Sequence, residues 1–186
     1  MKIGIYGSAA PDMDQMVMRT AEELGEEIAR RKNVVITGAC PGIPHIVAHS
    51  AFTNGTQVIG YSPSCNKEQH VAEGMPEGAY TELVFLTDTA KNMRMEVRYK
   101  MRNITSVDAC DCAIFISGRV GTLNEYTLAY DLLKPFGALT GTGGAADALE
   151  QITKLVPKDP KPFMCFSDDY RSILDQLERA VAKQNL

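Results

Sequence analysis

The chain has 186 residues, 45% of them hydrophobic and 23% charged, with a formal net charge of −4. That length suits one domain with a full core. The acidic balance argues against a general nucleic-acid binder, which carries a basic surplus, and no apolar run approaches a membrane span.

Taken in chain order, short apolar runs alternate with amphipathic stretches. KIGIY reads as a first strand, ending in Gly7-Ser8. This opening is a strand and a glycine turn rather than a signal peptide, so a cytoplasmic location is expected. Met13 to Lys32 reads as a helix with Val17, Leu24 and Ile28 on one stripe. NVVIT is a second strand, and a helix follows from Ile43 to Thr53, with Pro44 tolerated in its first turn. TQVIGYS is a third strand. The polar stretch PSCNKEQHVAEGMPEGAY reads as loop. ELVFL is a fourth strand, Thr89 to Val107 a long helix, and CAIFIS a fifth strand. SGRVGTLNEYTLAYDLL then opens another helix. FGALT is a sixth strand, a helix runs from Ala146 to Leu155, PFMCFS is the last strand, and Asp168 or Asp169 caps a closing helix.

This alternation predicts an α/β fold: a single Rossmann-like domain over residues 1–186, its sheet mainly parallel, with helices on both faces. Ligands in such sheets bind beyond the C-terminal strand ends, near a topological switch point. The loops to watch are therefore Gly7-Ser8, Gly38 to Pro44, Ser62 to Gly78 and Ser117 to Glu125.

Standard nucleotide signatures are absent. No G-x-G-x-x-G or P-loop follows the first strand, and G-x-S-x-G does not occur. Gly38 and Gly42 bracket a turn whose amides could face an anion or that simply needs glycine. Arg94, Arg98 and Arg102 stand at i, i+4 and i+8 on one helix face, where guanidiniums can read phosphate or remain solvated. Thr122-Leu123-Asn124-Glu125 has capping-box spacing, but glycines and an arginine precede it, as at a phosphate-binding helix start. His45 and His49 have zinc spacing without a third ligand, and His70 lies in the long loop. Five cysteines, without CxxC spacing, favour neither disulfides nor a metal centre. Cys110 and Cys112 would share a face if the strand already runs there. No metal and no cofactor is expected.

Several motifs together resemble the LOG-like proteins, often labelled possible lysine decarboxylases. Their signature is P-G-G-x-G-T-x-x-E after a strand, with M-x-x-R-K on the helix before it. SGRVGTLNE matches it at Gly118, Gly121, Thr122 and Glu125, and YKMRN places Arg102 on the family arginine. KIGIYGS, VVITGACPGIP and NGTQVIGYSP resemble the family's first strand, glycine-rich loop and third strand, so the likeness runs to about residue 135.

The resemblance implies a nucleotide-binding hydrolase that cleaves the N-glycosidic bond of a nucleoside 5′-monophosphate without a metal. Arg102 and Glu125 would be the catalytic pair. Gly118, Gly121 and Thr122 would hold the phosphate, with Gly7, Ser8, Gly38, Gly42, Arg98 and Arg119 as further phosphate- or nucleotide-binding candidates. It also implies a homodimer with a small phosphorylated ligand as partner. Related folds occur in DNA-binding proteins, but the acidic balance and the lack of a basic stripe argue against nucleic acid, and no membrane partner is expected. Ser117 replaces the family proline, Arg119 its second glycine, Asn103 its lysine, and Gly38-Ala39-Cys40 its G-G-G turn. These departures resemble a bacterial and archaeal side branch containing proteins similar to molybdenum-cofactor carriers, which would bind a pterin phosphate in the same crevice without chemistry.

Overall fold

A computed structural model describes residues 1–9 and 14–184. Fourteen elements alternate along the chain: β1 (Lys2–Gly7), α1 (Gln15–Arg30), β2 (Val34–Thr37), α2 (Ile43–Thr53), β3 (Val58–Tyr61), α3 (Lys67–Ala72), β4 (Glu82–Val84), α4 (Met95–Ala109), β5 (Cys112–Ile116), α5 (Val120–Asp131), β6 (Phe136–Leu139), α6 (Gly144–Leu155), β7 (Met164–Ser167) and α7 (Tyr170–Gln184). The expected start of the first helix at Met13 lies outside the described residues. Within them, Asp14 opens α1 by accepting hydrogen bonds from the amides of Met16 and Val17. Asp169, rather than Asp168, accepts from the Arg171 amide at the head of α7.

The seven strands form one parallel sheet in the order β4-β3-β2-β1-β5-β6-β7. The order runs outward from β1 in both directions, so the switch point lies between β1 and β5, where Gly7 faces Ile116. Alternation along the strands sends side chains to two cores. Ile3, Ile5, Ile114 and Ile116 pack under α1, α2 and α7 with Leu24, Val47 and Leu177. Tyr6, Ala113 and Phe115 pack under α4, α5 and α6 with Val107, Tyr126 and Leu149. Each fully buried Ile, Leu, Val or Phe among them contributes about 1.5–3 kcal/mol. Leu24 and Ile28 are buried on the expected stripe, and Val17 packs at its edge. No helix among the described residues is long and apolar enough to cross a membrane.

Three expectations are corrected. The polar stretch after β3 is not all loop: Asn66 caps the short helix α3 by accepting from the Gln69 amide. The long helix begins at Met95, not Thr89, because Asp88–Ala90 forms a separate 3-10 turn. Cys110 ends α4 and sits with Ile36 and Ile59, whereas Cys112 is the first residue of β5 and joins the opposite core. The strand has not begun at Cys110, so the two thiols share no face.

Candidate functional site

The site lies at the switch point, and glycines let its walls close up. A Cβ on Gly7 would overlap the Ile116 carbonyl oxygen, so glycine there lets the ends of β1 and β5 meet. Gly42 has φ +89°, and a Cβ on it would strike the Ser8 carbonyl oxygen, which accepts a 2.8 Å hydrogen bond from the Ile43 amide. Gly7, buried Ser8 and Gly42 thus stitch the loops after β1 and β2 together.

These loops, the outer turns of α4 and the first turns of α5 enclose a cavity of about 550 Å³. Ala9, Cys40, Pro41 and Met75 line one part of the wall. Glu96, Tyr99, Lys100, Arg102 and Asn103 come from α4, and Gly121 and Glu125 from α5. Of the expected site residues, the structure brings Arg102, Gly121 and Glu125 to this wall.

Arg102 is 6% exposed, and its Nε and Nη1 have no hydrogen-bond partner among the described residues. Its guanidinium fills the notch above Gly38, where a Cβ would coincide with Nη1. Gly38 therefore seats the arginine, and its own place is beneath the cavity wall rather than in it. Tyr99 stacks its ring 5.8 Å from the guanidinium carbon. Glu125 is 7% exposed and forms no ion pair among the described residues. Burial pushes its carboxyl up to about 7, while Arg102 and then Lys100 pull the other way. Burial likewise pushes the Cys40 thiol up, against the nearby Arg102. The cavity thus holds a carboxyl poised near neutrality beside a guanidinium with unmet donors. That combination can exchange a proton and hold an anion.

The loop before α5 is built differently from the capping box. α5 starts at Val120 with Arg119 at its N-cap, so Thr122 and Glu125 lie inside the helix and do not cap it. Ser117 has φ +53° and Gly118 φ +97°. Proline, locked near −65°, could not stand at Ser117, which accounts for the departure there. The turn is tied to the next loop: the Ser117 amide donates to Thr142 Oγ1 at 2.8 Å, and the Ala145 and Ala146 amides donate to the Gly118 and Ser117 carbonyls, each at 2.9 Å. A Cβ on Gly118 would strike the Thr122 side chain, which is buried beneath it. Gly118 and Thr122 therefore mesh with each other, outside the cavity wall. Arg119 is exposed and also outside that wall. At Gly121 the space is open, and the first turn of α5 leaves amides without intrahelical acceptors.

The arginine face of α4 divides. Arg94 is exposed at the N-cap. Arg98 is buried and committed elsewhere: its Nη2 lies 2.5 Å from Glu73 Oε1, and its Nη1 donates to the Pro63 carbonyl. It does not line the cavity. His70 is fully buried between Ser62 Oγ at 2.8 Å and the Pro76 carbonyl at 3.0 Å. His45 lies 3.4 Å from the Tyr80 hydroxyl, and burial, then His49, lowers its pKa. No group of three or more His, Cys, Asp or Glu side chains among the described residues is arranged to hold a metal.

Sequence reasoning missed Tyr99, Lys100, Asn103 and Glu96 as wall residues. Their spacing, i, i+3, i+4 and i+7 from Glu96, is one helix face and could have found them. Met75 and Cys40 left no such signal.

The comparisons with known proteins agree with this architecture. Over 133 residues the chain is 26% identical to an uncharacterized protein from Archaeoglobus fulgidus, covering 69% of this chain and 73% of that one. The X-ray structure of TM1055 superposes with a TM-score of 0.76 at 22% identity, covering 96% of this chain and 98% of that one. The molybdenum cofactor carrier protein of Chlamydomonas reinhardtii superposes with a TM-score of 0.72 at 21% identity, covering 97% and 98%. DNA processing protein A from Helicobacter pylori, whose structure is described for single-stranded DNA binding, gives 0.66 at 17% identity, covering 96% and 80%. These likenesses establish the Rossmann-like fold. The model of the SLOG cluster4 family matches residues 1–168, and the chain belongs to that family.

Proposed function

We propose that the cavity takes a nucleoside 5′-monophosphate and that Glu125, with Arg102, hydrolyses its N-glycosidic bond, giving the base and ribose 5-phosphate. The observation that carries this reading is the Glu125 carboxyl, buried in the cavity wall and raised to about 7. Glycosidic cleavage passes through an oxocarbenium-like state. An ionised Glu125 can stabilise that charge, or accept the proton of the water that attacks the anomeric carbon and return it to the departing base. The first turn of α5 at Gly121 offers amides to the phosphate. Arg102, seated over Gly38, supplies positive charge beside the carboxylate.

The test is base release from a panel of nucleoside 5′-monophosphates, followed by chromatography. Glu125→Gln should lower turnover at least about 100-fold, the usual contribution of general acid–base catalysis. Turnover by the wild type should rise between pH 6 and 8 as the carboxyl ionises. Undiminished turnover in Glu125→Gln would overturn the mechanism.

A second reading is a carrier for a nucleotide-like or molybdopterin-type phosphorylated ligand. Two observations favour it: the apolar contribution of Ala9, Pro41, Met75 and Tyr99 to the wall, and solved neighbours named as molybdenum cofactor carrier or binding proteins. Ligand binding without turnover of any nucleotide in the panel would select it. The net charge of −4 gives no support to single-stranded DNA as the ligand. Both readings include a homodimer, supported by Val97 and Ile104, which are exposed seven residues apart on α4. Sedimentation equilibrium tests it, and a monomer at all concentrations would remove it.

A further inference from the structure

Next to Arg102 on α4 is a second buried polar side chain that the proposed chemistry does not use. Asn103 is 2% exposed and lines the cavity. Its Nδ2 donates a 2.8 Å hydrogen bond to Asn124 Oδ1, on the adjoining turn of α5. Its Oδ1 is buried and has no hydrogen-bond partner among the described residues. An amide has one donor end and one acceptor end, and with Asn124 presenting its Oδ1 the NH2 end of Asn103 is engaged and its oxygen is the end left over. A buried carbonyl oxygen left unmet weakens the folded state. Such an oxygen therefore points to a partner supplied from outside the chain.

We propose that Asn103, oriented by Asn124, is a selectivity residue that accepts a hydrogen bond from a neutral N–H or O–H group of the ligand. This rests on the reading that the cavity binds a phosphorylated ligand and narrows its class. Arg102 and the first turn of α5 answer the anion. Asn103 answers a donor on the rest of the molecule, such as a sugar hydroxyl or a base amine. An anion that brings no such group leaves the Asn103 oxygen unmet. Asn124 is a positioning residue: it acts through Asn103.

The experiment is calorimetric titration of the full chain with AMP and with inorganic phosphate, together with thermal melts of the free protein. Asn103→Leu should bind AMP about tenfold more weakly, bind phosphate as the wild type does, and melt close to the wild type, because removal of the unmet oxygen at similar volume offsets the lost bond to half-buried Asn124. Asn124→Asp keeps an acceptor for Asn103 Nδ2 and should retain AMP affinity. Asn124→Leu lets the amide turn and should lose most of the same tenfold. Equal AMP affinity in the wild type and Asn103→Leu overturns this inference alone. So does a parallel loss of AMP and phosphate affinity, which marks a merely structural role. Failure of the wild type to bind either probe overturns the phosphorylated-ligand reading and this inference with it.

Discussion

Arg98 and Arg102 stand one helical turn apart on α4, and both are almost fully buried. The first is spent on the fold: Glu73 and the Pro63 carbonyl take its Nη1 and Nη2 donors and tie α3 and the strand before it to α4, leaving only Nε unpartnered among the described residues. The second holds two donors with no partner and faces a cavity. The same contrast separates two buried glutamates. Glu27 of α1 receives hydrogen bonds from Arg30 and Arg31 and is held down at about 2. Glu125 of α5, equally buried, has no such bonds and stands at about 7. Composition does not distinguish these regions. What does is whether the chain itself answers the charges it buries, and the cavity is where it does not.

The largest effect should come from breaking the arginine that is ion-paired. Arg98→Met leaves the Glu73 carboxylate poorly compensated and should destabilise the protein by about 3 kcal/mol in chemical denaturation. The same change at Arg102 removes unmet donors instead, and should cost less than about 1 kcal/mol while abolishing ligand binding. Equal losses at the two positions would erase the contrast.

The glutamates should answer pH with opposite signs. Glu125 is raised from 4.5 in the unfolded chain to about 7 in the folded one. The unfolded state therefore gives up this proton first, and the penalty grows from about pH 4.5 until it levels off above pH 7. Glu125→Gln should then stabilise the protein by roughly 3 kcal/mol at pH 8 and by nothing at pH 4, on the order set by 1.36 kcal/mol per unit. Melting curves at the two pH values decide it.

Gly38→Ala places a methyl group where the Arg102 guanidinium rests. The side chain can swing aside, so the fold should survive with a loss near 1 kcal/mol, while ligand affinity falls about tenfold. Unchanged affinity would mean that the notch does not position the arginine.

The smallest effect belongs to Glu27, where Arg30, one of its two arginine partners, is largely exposed and the other, Arg31, keeps Asp175 and Glu178. Glu27→Gln should cost about 1 kcal/mol at pH 7, after allowance for solvent screening, and less in high salt. Its lowered pKa means the contribution is present above pH 4.5 and disappears as pH falls through about 2.

The fold was legible because its signal is periodic. Each strand is built on a short apolar run, and α1, α6 and α7 carry a stripe whose period survives in the linear sequence. α3 was not legible, since six residues cannot hold a helix by propensity; the Asn66 cap and the clamp of Arg98 on Glu73 hold it. Arg102 and Glu125 stood out by motif, and the structure places both on one cavity wall. The separation of Arg98 from Arg102 was invisible, because it depends on Glu73, which lies far away in sequence. The capping-box spacing at Thr122 misleads for a related reason. Its spacing to Glu125 is that of a cap, but the helix begins two residues earlier, after a turn whose backbone is set by Ser117, Gly118 and their ties to Thr142, Ala145 and Ala146.

The strand order also sets a timetable for synthesis. β1 is made first yet lies in the middle of the sheet, and its β5 neighbour arrives only after three further strands and four helices. Until then, one edge of β1 waits unpaired, and such long-range parallel pairing is slow to form. Arg102 and Glu125 flank that late strand on α4 and α5. A nascent chain halted before β5 should therefore hold β1 to β4 without a cavity, so that ligand binding reports on the completion of the sheet's centre rather than on the first half of the fold.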